Sequence, residues 1–176
     1  MTIERSTKPK YAVMTCGGLA PGKPDVIRGA IEEARNRGIE LVGLKDGWDS
    51  LLDASIPEVS FAPKDLDIER LRGRAGNELL RSTRTKIERF QYGIVRDVMD
   101  QREIDGIIII GGDGTAEGAK NFAYTGIVPM IHVPKTVDND VKGCTQTFGY
   151  STARRNTSEA VKNMVAEAKA TAGGGV

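Results

Sequence analysis

A chain of 176 residues with 39% hydrophobic and 28% charged side chains has the mix of an ordinary soluble globule built on one core. Its 25 basic and 24 acidic residues leave a net charge of +1, so no global field recruits nucleic acid or an anionic membrane, and any anion site must be local. No signal peptide or membrane-length apolar run is evident, which makes the cytoplasm the expected compartment, and Cys16 and Cys144 fit neither a zinc pattern nor a disulfide framework.

A polar lead over residues 2–9 precedes the first expected strand, residues 11–16 (YAVMTC), which ends in a glycine-bearing loop, residues 17–22. Pro24 suits the opening turn of a helix, and Ile27, Ala30, Ile31 and Ala34 give that helix one apolar stripe before Gly38 stops it. Residues 39–44 (IELVGL) read as a second strand, completing a right-handed βαβ unit. A long loop is expected over residues 45–63, then a short helix over 66–71, then an irregular basic stretch, residues 73–85. Arg72, Arg74, Arg81 and Arg84 cluster there, as a solvated loop or as guanidinium forks for phosphate.

The next expected helix, residues 86–102, puts Ile87, Phe90, Ile94 and Val98 on one face. It leads into residues 107–118, IIIIGGDGTAEG, where a β-branched run bounded by glycines reads as a strand buried on both faces. A helix (116–123), a strand (128–133), a loop (134–140) and a polar link (143–152) follow. His132, in that strand, reads as a packed residue rather than a catalyst. The last helix, residues 156–170, is expected to bury Val161, Met164, Val165 and Ala168 and to begin with an Asn156/Glu159 capping box. Gly173, Gly174, Gly175 and Val176 then read as a flexible end or a lead into a further strand.

Three loops, residues 17–22, 111–115 and 134–140, each follow an expected strand, so a parallel sheet would gather them on one rim. Gly17, Gly22 and Lys23 match a P-loop spacing, but Pro24 stands where that motif needs a hydroxyl for Mg²⁺, so only a glycine-rich turn able to hold an anion is expected. In GGDGT the glycines admit phosphate oxygens to the backbone, and Asp113 offers a carboxylate suited to Mg²⁺. If residues 136–140 are extended, Thr136, Asp138 and Asp140 face one space, an arrangement suited to phosphoryl transfer with one carboxylate taking the proton of an attacking hydroxyl.

These motifs together resemble the 6-phosphofructokinase family. GGDGT, PKTVDND with the following KGCTQTFGYSTA, and the early GGLAPG, VIRGA and VGLKDGW recur in that family's order, and the match spans residues 11–170. GGDGT alone also resembles NAD kinases and diacylglycerol kinases. The resemblance implies an open, mostly parallel Rossmann-like α/β sheet flanked by helices, and ATP-dependent, Mg²⁺-dependent phosphorylation of the 1-hydroxyl of fructose 6-phosphate. By motif it makes Asp138 the base, with Thr136 and Asp140 beside it on the sugar phosphate, and Arg84 the arginine bridging the two phosphates. Asp113 would serve Mg²⁺; Gly18, Gly114, Thr115 and Gly118 would line the nucleotide; Trp48 falls near a family aromatic.

Gly114 favours ATP, since an aspartate there goes with pyrophosphate, while Lys135 occurs in pyrophosphate enzymes too. Leu19, Lys23-Pro24 and Arg81 depart from the pattern. The family's second half has no counterpart, so residues 1–142 are expected to be a nucleotide-binding domain and 143–176 a linker and helix leading to an absent sugar-phosphate domain. A partial enzyme, a pyrophosphate-dependent one and a non-catalytic nucleotide-binding module are the resulting readings, with self-association into a homo-oligomer expected from exposed sheet edges.

Overall fold

A computed structural model describes residues 8–73 and 78–171, so Arg74, most of the polar lead and the terminal Gly173 to Val176 lie outside the described residues. The described strands form one sheet in the order β3-β2-β1-β4-β5-β6. These are β1 (Lys10–Thr15), β2 (Glu40–Leu44), β3 (Glu58–Ser60), β4 (Gly106–Gly111), β5 (Met130–Thr136) and β6 (Phe148–Gly149). All neighbours are parallel except β3, which pairs antiparallel with β2 at the edge. The open, mostly parallel α/β sheet is therefore as expected.

The helices are α1 (Lys23–Arg37), α2 (Asp49–Leu52), α3 (Tyr92–Gln101), α4 (Asp113–Ala123) and α5 (Tyr150–Ala170). Ile27, Ile31 and Ala34 of α1 are buried as their spacing requires, and left-handed Gly38 (φ 66°) ends the helix. Val13, Leu41 and Ile110 face α1, with Phe61 and Leu80 closing that layer. On the other face Met14, Leu44, Ile107 and Ile109 pack with Trp48, Val95, Val98, Met99 and Phe122. Covering both faces is what a parallel sheet requires, and it explains the unbroken isoleucine run.

Several local expectations are corrected. The long loop of residues 45–63 contains α2 and the edge strand β3, whose three residues are too few to carry a pattern. A short 3₁₀ turn, Arg89–Gln91, precedes α3, and this rotates the helix so that Val95, Val98 and Met99 turn inward. Phe90 and Ile94 are 82% and 47% exposed rather than on the buried face. Residues 143–152 are not a mere link, because β6 pairs Phe148 with Lys135 and α5 begins at Tyr150 after Gly149 (φ 99°). Asn156 consequently lies inside α5 and cannot cap it. Nor is the apolar stripe of α5 covered: Val161, Met164 and Val165 are 53%, 71% and 47% exposed, and Ala168 is only partly buried.

Candidate active site

At the end of β1 the chain turns through Gly17 (φ 77°). The Gly17 amide donates to the Thr83 carbonyl (2.8 Å), the Ser82 hydroxyl donates to the Gly17 carbonyl (2.9 Å), and the Thr15 hydroxyl donates to the Arg81 carbonyl. The stretch holding Ser82, Thr83 and Arg84 is thus sewn to the first loop across a gap of some sixty residues that no periodicity reveals. This brings Arg84 to the glycine turn: a Cβ built on Gly18 would lie 3.5 Å from its guanidinium.

At the end of β4, α4 begins at Asp113, earlier than the expected residue 116, so the GGDGT motif is itself the first helical turn. Asp113 and Gly114 are exposed, while Thr115, 9% exposed, folds back onto Gly111 so closely that a Cβ on Gly111 would collide with its side chain. Amides in a first helical turn lack intrahelical acceptors, which suits an anion, and an acid there also offsets the helix dipole. Nothing lies within 4 Å of a Cβ built on Gly114 or Gly118. His132 supports this turn from β5, its ring nitrogen Nε2 lying 2.9 Å from the Gly111 carbonyl. The ring is half-buried, and burial lowers its pKa below the ordinary imidazole value.

The strand β5 runs on through Thr136, so Pro134, Lys135 and Thr136 are strand rather than loop. Beyond it the chain is not extended as expected. The Asp138 amide donates to the Thr136 hydroxyl (3.1 Å), and Asn139 takes a left-handed conformation (φ 58°). Its carboxamide oxygen turns away to accept from the amide (2.8 Å) and hydroxyl (3.2 Å) of Thr147. The alternation argument therefore fails in its geometry, yet Thr136, Asp138 and Asp140 still line one cleft, joined there by Val137. Lys135 is 4% exposed, and its ammonium donates to the Gly18 carbonyl (2.6 Å), tying the third loop to the first.

That cleft measures about 640 Å³ and is lined by Gly18, Arg84, Asp113, Gly114, Thr115, Gly118, Lys135, Thr136, Asp138 and Asp140, the residues to which the resemblance gave site roles, whereas Gly22, Lys23, Arg72 and Arg81 do not line it. Lys86, Glu88 and Asn121 also line it and carried no sequence signal. Trp48 touches its floor but is 2% exposed, packed edge-to-face on Phe122 at 5.9 Å between ring centroids. Among the described residues no group of three or more His, Cys, Asp or Glu gathers into a metal cage. A lone exposed carboxylate such as that of Asp113 is a hard oxygen donor of the kind a hydrated Mg²⁺ would accept.

Connections leave β1 and β4 in opposite directions, from β1 to β2 on one side and from β4 to β5 on the other, so the cleft sits at the switch point of the sheet. Fold and site together define a doubly wound α/β protein with its ligand cleft at the carboxyl ends of parallel strands. The family model for phosphofructokinase matches residues 10–175, and the chain belongs to that family. It is 39% identical over 158 residues to an ATP-dependent 6-phosphofructokinase of Corynebacterium efficiens and 33% identical over 156 residues to one of Aquifex aeolicus. Each alignment takes in 88% of this chain but only 44% and 47% of the relative, so the chain spans less than half their length. Among solved structures, phosphofructokinase from Saccharomyces cerevisiae superposes with a TM-score of 0.79 at 23% identity over 92% of this chain and 24% of that one. A pyrophosphate-dependent phosphofructokinase from Nitrosospira multiformis gives 0.76 at 21% identity over 92% and 43%, and at such identities both likenesses speak to fold alone.

Proposed function

We propose that this chain carries the donor and acid–base side of a phosphofructokinase site, transferring a phosphoryl group from ATP to the 1-hydroxyl of fructose 6-phosphate to give fructose 1,6-bisphosphate. The carrying observation is that three loops remote in sequence bring Arg84, Asp113 and Asp138 into one cleft. The printed names of the curated relatives, ATP-dependent 6-phosphofructokinase, support the donor and the reaction. The division into a nucleotide-binding unit (residues 1–142) and a following connection (143–176) is part of the same proposal, as are a cytoplasmic setting and a homo-oligomer. In keeping with that setting, no helix among the described residues is long and apolar enough to cross a membrane.

Each side chain has a chemical task. The Asp138 carboxylate accepts the proton of the attacking sugar hydroxyl, and Thr136, whose hydroxyl lies 3.4 Å from Asp138 Oδ2, orients it. Asp140 stands beside it on the acceptor side. Arg84 holds charge on the moving phosphoryl group, and the exposed first turn with Gly114, Thr115 and Gly118 lets the donor phosphates approach backbone amides alongside Gly18. Asp113 would hold Mg²⁺, which supplies charge neutralisation to the phosphate oxygens when bound. Pyrophosphate as donor is the second reading, favoured by Lys135, whose ammonium sits at the first loop.

A coupled assay of the chain with fructose 6-phosphate, offering ATP and pyrophosphate in parallel, tests the proposal. Turnover with ATP that falls about 10²–10⁴-fold in Asp138→Asn is the expected result. Wild-type turnover unaffected by that change would remove Asp138 from the chemistry and point to a kinase that shares only the GGDGT turn. Binding of Mg·ATP in calorimetry without turnover would instead support a nucleotide-binding module.

A further inference from the structure

Thr147 is 1% exposed and does not line the cleft, yet its hydrogen bonds run to the turn that presents Asp138. Its amide donates to Asn139 Oδ1 (2.8 Å), and its hydroxyl lies 3.2 Å from both that oxygen and the Thr136 carbonyl oxygen. A threonine hydroxyl has one proton to donate, so the two acceptors share it. Thr136 precedes the turn and Asn139 closes it, so one buried side chain holds both ends of the segment that carries Asp138.

The turn needs holding. Val137 and Asp138 are exposed, and Asn139 has a left-handed backbone (φ 58°). That conformation is unfavourable for a residue with a Cβ, least so for asparagine, and it persists where the surroundings over-determine it. The Asn139 carboxamide anchored on Thr147 supplies that determination. Thr147 is placed in turn by β6, whose Phe148 and Gly149 pair with Lys135 and Thr136 of β5. Support for the Asp138 carboxylate thus runs from Thr147 through Thr136 and Asn139, and of these only Thr136 reaches the cleft beside Asp138.

We infer that Thr147 is a positioning residue for the base: through the Thr136 carbonyl and the Asn139 carboxamide it sets where the Asp138 carboxylate stands relative to an attacking hydroxyl. This inference rests on reading Asp138 as the base. A misplaced base slows proton transfer without loosening the donor, whose phosphates meet the first two loops instead.

Steady-state kinetics of the chain with its Thr147→Val and Thr147→Ser variants, read beside amide hydrogen exchange, test it. Valine keeps the shape and removes the hydroxyl, whereas serine keeps the hydroxyl and loses a methyl. Thr147→Val should lower kcat about tenfold with the KM for Mg·ATP unchanged, and Thr147→Ser should recover most of the rate. In the ligand-free protein, Thr147→Val should also speed exchange of the Asp138 amide about tenfold while the amides of β4 keep their protection. A side chain that serves packing alone would lower the melting temperature in the serine variant and leave kcat and the Asp138 amide unaltered in the valine variant, which overturns the inference. Should the valine variant not fold, Asn139→Gly carries the same test, because glycine adopts the left-handed backbone without strain and removes the carboxamide anchor, so kcat should fall again. A large loss in Asp138→Asn with none in Thr147→Val overturns this inference alone. A wild type without turnover, or one indifferent to Asp138→Asn, overturns the reading of Asp138 and the inference with it.

Discussion

A carboxylate on residue 114 would stand in open cleft, since nothing lies within 4 Å of a Cβ there. Its cost in the free protein is therefore small, within about 0.5 kcal/mol, as for surface changes generally. Against a bound nucleotide the same carboxylate would face phosphate charge. Gly114→Asp is thus expected to leave the melting temperature nearly unchanged while raising the KM for ATP about tenfold or more, a change of at least about 1.4 kcal/mol, with pyrophosphate affected less. Parallel steady-state kinetics with both donors checks it. Lys135 pulls the choice the other way, but its ammonium is already engaged by Gly18, which limits what it can offer a ligand without giving up that bond. At this scale the motif residues were readable because each needs a particular atom in a particular place: no Cβ at Gly111, a carboxylate at Asp138, a guanidinium at Arg84. Lys23 was visible only as an odd match to a P-loop, and its burial with no hydrogen-bond partner for its ammonium among the described residues became apparent in the fold.

Among the elements, α4 joins the site to the core. Its first turn is the GGDGT motif, and its buried Phe122 (0% exposed) meets Trp48 and Tyr92 edge-to-face at 5.9 and 5.2 Å. Phe122→Ala should cost about 3–5 kcal/mol, read from urea midpoints, because it opens a cavity among rings that cannot collapse into it. The helix α5 behaves oppositely. Although its residues show the 3.6-residue apolar spacing of a packed helix, Val161, Met164 and Val165 are exposed. Val165→Gln should accordingly shift stability by less than about 0.5 kcal/mol. If the stripe mediates self-association, the same change lowers the association measured by sedimentation; an unaltered sedimentation profile would place the contact elsewhere. Periodicity states that a helix has an apolar face, and only the neighbours present decide whether that face is covered.

For the molecule as a whole, Lys23, Lys135, Cys16 and the half-buried His132 shape the pH profile of stability, Lys135 being lowered by burial in the same direction as Lys23. Lys23 is lowered from 10.5 to about 8, chiefly by burial and then by Lys135. Between those values the unfolded chain binds the extra proton, so stability rises with pH from about 8. Cys16 is raised from 9.0 to about 12 by burial, so above 9 the unfolded chain loses a proton that the folded one keeps, and stability is drawn down. His132 is lowered below 6.5, again by burial, so stability falls as pH drops below that value. Chemical denaturation across this range should therefore show a gain from about pH 8 to about 9, a flatter stretch to about 10.5 where Lys23 and Cys16 oppose each other, and a decline beyond. Lys23→Met should diminish the gain above pH 8, leaving only what Lys135, also lowered by burial, contributes.

The four longer strands β1, β2, β4 and β5, the helices α1, α3, α4 and α5 and the three glycine- or carboxylate-bearing turns were determined by the sequence itself, because β-branched runs, helical spacing and glycine stops act over a few residues at a time. What only the tertiary structure decided depends on partners far along the chain. The tie between Gly17 and Thr83 that aims Arg84, the pairing of β6 with β5, and the turn at Asn139 held by Thr147 are all of this kind. So are the uncovered face of α5 and the unpaired ammonium of Lys23. Burial and hydrogen-bond satisfaction belong to the whole fold, and no local pattern of residue types encodes them.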